Sequence, residues 1–392
     1  MTKQIDGKAP NIRIRSFEGD WEETNLKDIC ELFTDGDWIE SKDQSSEGIR
    51  LIQTGNIGLN QFIDKKERAK WVSLSTFQEL KCKEVLSGDI LISRLPEPAG
   101  RACIIPPKNY RMITVVDCTI VRVAEHCDNR FLVQHLSLRS YFNKINNLLA
   151  GGTRQRISRG NLAGFIIKLP SLSEQQKIGT YFYKLDEIIA QHQHKHKKLL
   201  TLKQAMLQKM FPQGGATVPK IRFKGFSSDW EEKKLEDIVE LCSGRDYKQL
   251  SSGNIPVYGT GGYMLSVNKA LSYEKDAIGI GRKGTIDKPY LLRCPFWTVD
   301  TLFYAIARED FDLDFTYCIF QKIDWKKKDE STGVPSLSKS TINGIQVIVP
   351  PKAEQQKIGT YFRKLDELIF KHVTQLEKLK QIKSACLEKM FV

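Results

Sequence analysis

Residues Glu174 to Phe182 read EQQKIGTYF, and residues Glu354 to Phe362 read EQQKIGTYF again. Nine identical residues in one chain mark two copies of a unit, so any fold for this chain must hold that unit twice. From Glu174 and Glu354 onward, 15 of 19 positions agree at an offset of 180, and KMFPQ at Lys209 answers KMFV at Lys389, so the copies run almost forty residues. A second shared block lies upstream. Phe17-Glu-Gly-Asp-Trp-Glu-Glu, followed by Leu26, Asp28, Ile29, Glu31 and Leu32, recurs as Phe226-Ser-Ser-Asp-Trp-Glu-Glu with Leu235, Asp237, Ile238, Glu240 and Leu241. Here the offset is 209, so the second copy is 29 residues shorter between its blocks, and the interior sequences there are unrelated. The chain alternates variable, constant, variable, constant.

The constant segments carry a helical period. Ile178, Phe182, Leu185, Ile189, His192, His196, Leu199, Lys203, Met206 and Met210 step by four and three in turn. That is a heptad seam. Ile358, Phe362, Leu365, Ile369, His372, Leu376, Leu379, Lys383, Cys386 and Met390 repeat it. Polar residues stand at matching seam positions, His192 with His372 and Lys203 with Lys383, where they fix register at some cost in stability. Two such helices in one chain are expected to pair antiparallel, and about 38 residues at 1.5 Å each make a rod of roughly 55 Å.

The variable segments, about residues 12 to 170 and 221 to 350, read differently. β-Branched and aromatic runs at Ile49–Thr54, Asp89–Ser93, Met112–Val123, Ala277–Ile280, Phe296–Ala307 and Ile345–Val349 predict strands punctuated by Gly, Pro and Asn. Thr76–Leu86 and Arg130–Asn143 predict short helices. The expected class is α+β: two mixed α+β domains at residues 1–170 and 214–350, and two long antiparallel helices at 171–213 and 351–392 forming a coiled-coil spacer, in a pseudo-twofold internal repeat.

Composition narrows the function classes. With 392 residues, 41% of them hydrophobic, each domain can bury its own core, and no apolar run approaches the ~20 residues of a spanning helix. The first residues, MTKQIDGKAPNIRIR, lack the apolar stretch of a secretory signal, so a cytoplasmic address is expected. Nine scattered cysteines form no CxxC pair and are read as reduced thiols. Sixty Lys and Arg against 47 Asp and Glu leave +13, which suits a polyanionic partner and is equally compatible with dispersed surface charge.

Catalytic motifs fail on inspection. Gly279-Ile-Gly-Arg-Lys-Gly284 satisfies GxGxxG, but the following Thr285-Ile-Asp-Lys-Pro289 is poor helix, and a dinucleotide site needs a helix there. The same residues suit a basic hairpin loop. HQHKHKK at His192 places histidines one turn apart, yet its lysines would repel a cation and the second copy keeps only His372, so no metal is expected. The Pro-Pro pairs stand in IIPPKNY and IVPPKAE, unlike the catalytic loop of an adenine methyltransferase. Basic loops remain. Gly151-Gly-Thr-Arg-Gln-Arg and Ser93-Arg-Leu-Pro-Glu-Pro-Ala-Gly-Arg101 present side chains that hold phosphates or read base edges. Arg94, Arg101, Thr153, Arg154, Gln155 and Arg156 are thus candidate DNA contacts in the first domain, with Thr54 and Asn56 of the IQTGNI turn. Tyr258 and Thr260 of VYGTGGY, with Arg282, Lys283, Ser336 and Lys339, are candidates in the second.

The whole pattern resembles the specificity subunit of type I restriction-modification systems. The resemblance rests on LPSLSEQQKI and VPPKAEQQKI, the paired DWEE starts, and phrases such as ILISRLPEPAGRA, IPVYGTGGYM and GRKGTIDKPYLLRCPFWTVDTLFYA. It implies that each variable domain is a target-recognition domain reading half of a bipartite, asymmetric duplex site. It further implies that two modification subunits bind the helices and methylate adenine N6, and that restriction subunits cleave. S-adenosylmethionine, ATP and Mg²⁺ are then expected in partner subunits, with no catalysis and no cofactor in this chain. Trp21, Gln175, Tyr181, Trp230, Gln355 and Tyr361 are candidate partner contacts, although both tryptophans equally suit anchoring of each domain to its helix. Two rivals stay open: a fused methyltransferase or nuclease with its own specificity domains, and a coiled-coil scaffold that binds no DNA.

Overall fold

The heptad seams fold into two long helices, Leu172–Lys209 and Lys352–Met390. In the computed structural model, which describes residues 9–15, 17–152 and 155–391, each helix belongs partly to one compact unit and partly to the other. The first unit comprises Met1–Gln191 with Leu376–Val392, and the second His192–Gln375. The helix ends lie near those expected, but compactness divides each helix midway.

In the first unit an antiparallel sheet runs Cys30–Asp35, Cys118–Val123, Ile90–Ser93, Ala102–Ile104. The central strand Ile90–Ser93 is buried throughout, as its unbroken apolar run requires. A second sheet orders Gln44–Ser45, Lys70–Val72, Ile49–Ile52 and Met112–Thr114, with only the last pair parallel. The expected strand Met112–Val123 is therefore two strands in two sheets, because Val115–Asp117 turns the chain between them. The expected helix Arg130–Asn143 also divides. Asp128 caps Asn129–His135, and Leu138, in extended conformation, starts Arg139–Asn147 anew so that Tyr141 and Ile145 face the core.

The second unit repeats the plan with different residues. One antiparallel sheet runs Val239–Ser243, Leu302–Ala307, Ala277–Gly281, Tyr290–Leu292, and a smaller one runs Gly262–Val267, Ser252–Gly259, Trp297–Thr298. Both units close with the same clasp. Glu22–Asn25 pairs antiparallel with Ile166–Leu169, and Glu231–Lys234 with Gln346–Val349. The repeated DWEE block is thus the strand that zips each unit shut just before its long helix.

The repeated nonapeptide has a structural reason at nearly every buried position. Glu174 receives a bidentate pair from Arg13 at 2.7 and 2.8 Å, and Glu354 receives one from Arg222 at 2.8 Å twice. Gln175 accepts the Asp128 amide at 2.9 Å and donates to the Pro170 carbonyl at 2.9 Å; Gln355 does the same with Asp312 and Pro350. Gly179 lets the start of a neighbouring helix press close, since a Cβ there would sit 2.7 Å from the Phe131 amide nitrogen. Gly359 does likewise at 2.8 Å from that of Phe315. Phe182 joins Trp21, Phe131 and Phe391 in one aromatic cluster, and Phe362 joins Trp230, Phe315 and Phe211 in the other. Identity is demanded because each copy docks its helix onto its own unit by the same contacts.

Within each unit the helix segments run antiparallel. Lys383 meets Asp186 at 2.6 Å in the first unit, and Lys203 meets Asp366 at 2.6 Å in the second. Under the offset of 180 these are one contact with roles exchanged. His192 and His372 face each other through Nδ1 atoms 2.8 Å apart, so one nitrogen must stay unprotonated to accept. Burial, first, and His192, second, hold the His372 pKa below its ordinary value. The expected polar seam positions thus meet across the helix pair, the histidines facing each other and the lysines pairing with the Asp residues of the repeated KLDE, an arrangement suited to setting register. Asp186→Lys is expected to destabilise the first unit by about 1–2 kcal/mol, and adding Lys383→Asp to recover most of it. Thermal melts that place the double variant no higher than the single one would dismiss the register role.

Candidate nucleic-acid interface

In the second unit, the strand Ala277–Gly281 ends in a tight loop. A Cβ on Gly281 would strike the Thr285 carbonyl, and Gly284 takes φ +95°, so only glycine serves at these two points. The loop is stitched to a second segment: the Gly284 amide donates to Pro335 O at 2.8 Å, the Leu337 amide to Arg282 O at 2.9 Å, and Lys283 bridges Ser336. Together they wall an open cleft of about 650 Å³ that includes Arg282, Lys283, Ser336, Lys339 and Glu330. Four candidates from different parts of the sequence meet here. Arg282, Lys283 and Lys339 are exposed and, among the described residues, enter no ion pair. Two backbone amides and a hydroxyl converge on Asp329 from Ser331 and Ser336, which hold its carboxyl below the usual range and order the segment.

Thr260 approaches the same loop, its hydroxyl lying 3.9 Å from where a Gly284 Cβ would stand. Tyr258 is half-buried between Tyr263 and Tyr290, ring centroids 6.4 and 6.1 Å away. The GxGxxG stretch is the basic loop, with no helix after it. Replacing Arg282 and Lys283 together by alanine is expected to lower duplex-DNA affinity about tenfold or more at 0.1 M salt, and to flatten the slope of log K on log salt by about 2. Anisotropy titrations of the full chain check it. An unchanged slope would remove both residues from the interface.

The first unit uses the equivalent position otherwise. Arg94 has the backbone bonds of Arg282, donating to Asp117 O at 2.8 Å and accepting from the Ile157 amide at 3.0 Å. Its side chain, however, turns inward to Val116 O at 2.9 Å and Asp35 at 3.5 Å, leaving it 7% exposed. Arg101 is likewise buried and donates to four carbonyls: Ile57 at 2.7 Å, Leu95 at 2.8 Å, Pro98 at 2.9 Å and Thr54 at 2.9 Å. Neither arginine is free to touch DNA, which corrects the sequence expectation; each braces a loop. Asn56 is corrected for the same reason. It is buried, accepting the Gln53 amide at 2.9 Å and donating to Ile63 O at 2.8 Å. Gln155 and Arg156 are exposed, with Arg156 3.9 Å from Asp117, whereas Thr153 and Arg154 lie outside the described residues. Thr54 lines a separate cleft with Gln53, Lys65, Lys66, Arg68 and Lys70. Sequence reasoning passed over those four cations, although four in six residues was a visible charge run.

The partner candidates divide sharply. Trp21, Trp230, Gln175 and Gln355 are 1–3% exposed, and their rings and amides are engaged in the clasp and helix docking described above. They anchor the helices and offer nothing to a partner. Tyr181 is exposed, its hydroxyl 3.5 Å from Cys386 Sγ, and Tyr361 is half-buried against Phe223. Around them lie residues that sequence reasoning missed. Gln176, Lys177, Thr180 and Lys184 form a shallow hollow on the outer helix face with Tyr181, and Gln356, Lys357, Thr360 and Lys364 reproduce them letter for letter. Lys177 and Lys357 stand over the rings of Phe17 and Phe226 at 4.7 and 4.9 Å. The usable signal was identity at positions outside the heptad seam.

Among the described residues, no helix is long and apolar enough to cross a membrane. The profile of the type I restriction modification DNA specificity domain matches residues 18–201 and again 227–382. A Methanocaldococcus jannaschii protein assigned as the MjaX type I restriction enzyme specificity subunit is 22% identical over 412 aligned positions, covering 92% of this chain and 91% of its own. The type I restriction enzyme MjaVIII specificity subunit of the same organism is 22% identical over 313, covering 68% and 72%. The crystal structure of a type I restriction-modification system S subunit from M. genitalium superposes with a TM-score of 0.74 at 18% identity, covering 98% of this chain and 99% of that one. That likeness concerns the fold.

Proposed function

Because the chain belongs to the type I restriction modification DNA specificity family, matched twice along its length, we propose that it reads a bipartite, asymmetric duplex site, one half per unit. It is the specificity component rather than the enzyme. Two modification subunits seat on the paired outer helix faces around Tyr181 and Tyr361, restriction subunits join them, and S-adenosylmethionine, ATP and Mg²⁺ are bound by those partners.

One observation carries this reading: within each unit the docking contacts and five residues of the outer helix face (Gln176, Lys177, Thr180, Tyr181 and Lys184) recur at the offset of 180, while the basic loops differ. Identical seats suit identical partners. Unlike loops suit unlike bases, since a base edge is read by side-chain chemistry specific to it. The fused-enzyme rival predicts that the chain alone binds S-adenosylmethionine or a metal ion, and the scaffold rival predicts no salt-dependent binding to duplex DNA. Mapping methylated adenines in cells that carry this chain with its modification subunits should return two short motifs separated by a fixed gap. Exchanging residues 214–350 for those of another family member should change one motif and leave the other. A single continuous motif, or a change in both halves, would overturn the proposal.

A further inference from the structure

At the position of Arg282 the first unit places the buried Arg94, and the exposed cations beside it, Arg156 and Arg159, lie 3.9 Å from Asp117 and Asp35, which raises the question of where else that unit could meet DNA. We propose that its DNA-contacting surface is the cleft between the Thr54–Asn56 turn and the segment Asp64–Lys70, with Lys65, Lys66, Arg68 and Lys70 holding phosphates and Gln53 and Thr54 facing base edges. The inference rests on the reading of the chain as a DNA specificity component.

Three features support it. The cleft is about 780 Å³, and its four cations are exposed and, among the described residues, form no ion pair. Lys65 reaches across the cleft, its ammonium sitting 2.8 Å from where a Gly55 Cβ would stand, so the two walls already share one cation. Behind each wall lies a buried guanidinium with no carboxylate partner among the described residues. Arg101 donates to Thr54 O on one side, and Arg50, 2% exposed, donates to Lys70 O at 3.0 Å on the other. The Asp64 carboxyl is taken by Lys108 at 2.7 Å, which is the main reason its pKa is lowered, and Glu67 is the one further acid lining the cleft. Both guanidinia are held mainly by carbonyls, with Asp64 near Arg50, and their buried positive charge favours an anion in the cleft. A run of phosphates spaced along a duplex matches four outward cations better than a single bound ion does. Gln53 and Thr54 carry the amide and hydroxyl that read adenine or other base edges.

The test uses the full chain carrying Lys65→Gln, Lys66→Gln and Lys70→Gln, all exposed and outside the core, with a short mixed-sequence duplex as probe. Losing three phosphate contacts should flatten the slope of log K on log salt by between about 2 and 3. An unflattened slope, with wild-type chain binding normally, overturns the cleft assignment. Wild-type chain that shows no salt-dependent binding overturns the underlying DNA reading instead. An RNA duplex or acidic peptide that binds wild type but not the triple variant, with DNA binding untouched, also overturns it. In cells with the modification subunits, Gln53→Ala with Thr54→Val should relax one half of the methylated motif and leave the other intact. An unchanged motif, or methylation lost everywhere by a chain of unchanged melting temperature, counts against the cleft as a base reader.

Discussion

Glu354→Ala is expected to destabilise the second unit by about 3–5 kcal/mol, the cost of removing one partner from a buried ion pair. Glu354 is fully buried and takes both of its hydrogen bonds from Arg222, whose side chain is 10% exposed. With the carboxylate gone, Arg222 keeps, among the described residues, the Ser228 carbonyl at 2.8 Å and a charge that is largely shielded from water. Glu174→Ala should do the same to the first unit through Arg13, which would keep Gly19 O and Glu18 O. Urea titrations read by the tryptophans of each unit measure both changes. Removing Arg222 together with Glu354 should cost less than the sum of the single changes, because no orphan charge remains. A loss under ~1 kcal/mol for Glu354→Ala would mean that the repeated Glu is retained for some purpose other than docking.

Stability of the first unit should also fall on acidification, by up to about 3 kcal/mol between pH 7 and pH 4. His135 lies wholly inside the aromatic cluster with Phe131 and Phe391, and burial, aided by the charge of Lys144, lowers its pKa to about 4. In the unfolded chain it titrates near 6.5. The unfolded state therefore binds more protons below that value, so the contribution is complete above pH 6.5 and lost as pH falls toward 4. His135→Leu fills similar space, removes a buried Nδ1 that has no hydrogen-bond partner among the described residues, and should abolish this acid step. If the variant and the wild type lose stability in parallel from pH 7 to 4, carboxylate protonation elsewhere is the cause.

Arg94 and Arg282 show how far sequence reasoning reached. Both follow a buried strand and make the same main-chain bonds, and both were natural DNA contacts by residue type. Only Arg282 faces a cleft, because in the first unit Asp35 and the Val116 carbonyl lie where the Arg94 guanidinium can fold onto them. Asp35 comes from a strand some sixty positions earlier, so nothing local to Arg94 announces its burial. The Lys65–Lys70 run failed to stand out for the converse reason. Its opposite wall is the Gln53–Asn56 turn, and a lysine run without a facing wall reads as solvated surface. Trp21 and Trp230 were legible as anchors from their placement at the repeated starts, and their aromatic clusters agree with that.

What sequence alone determined is the duplication, the two long helices, and the alternation of constant with variable segments. Identity and heptad period are properties of short stretches, and the contacts that enforce them repeat with the residues. Tertiary structure decided which cations look outward, which glutamines and tryptophans vanish into the docking contacts, and where each unit's basic cleft opens. Those outcomes depend on strands and turns brought together from distant positions, and the energy of a charged side chain is set by the groups that surround it, not by its neighbours in the chain.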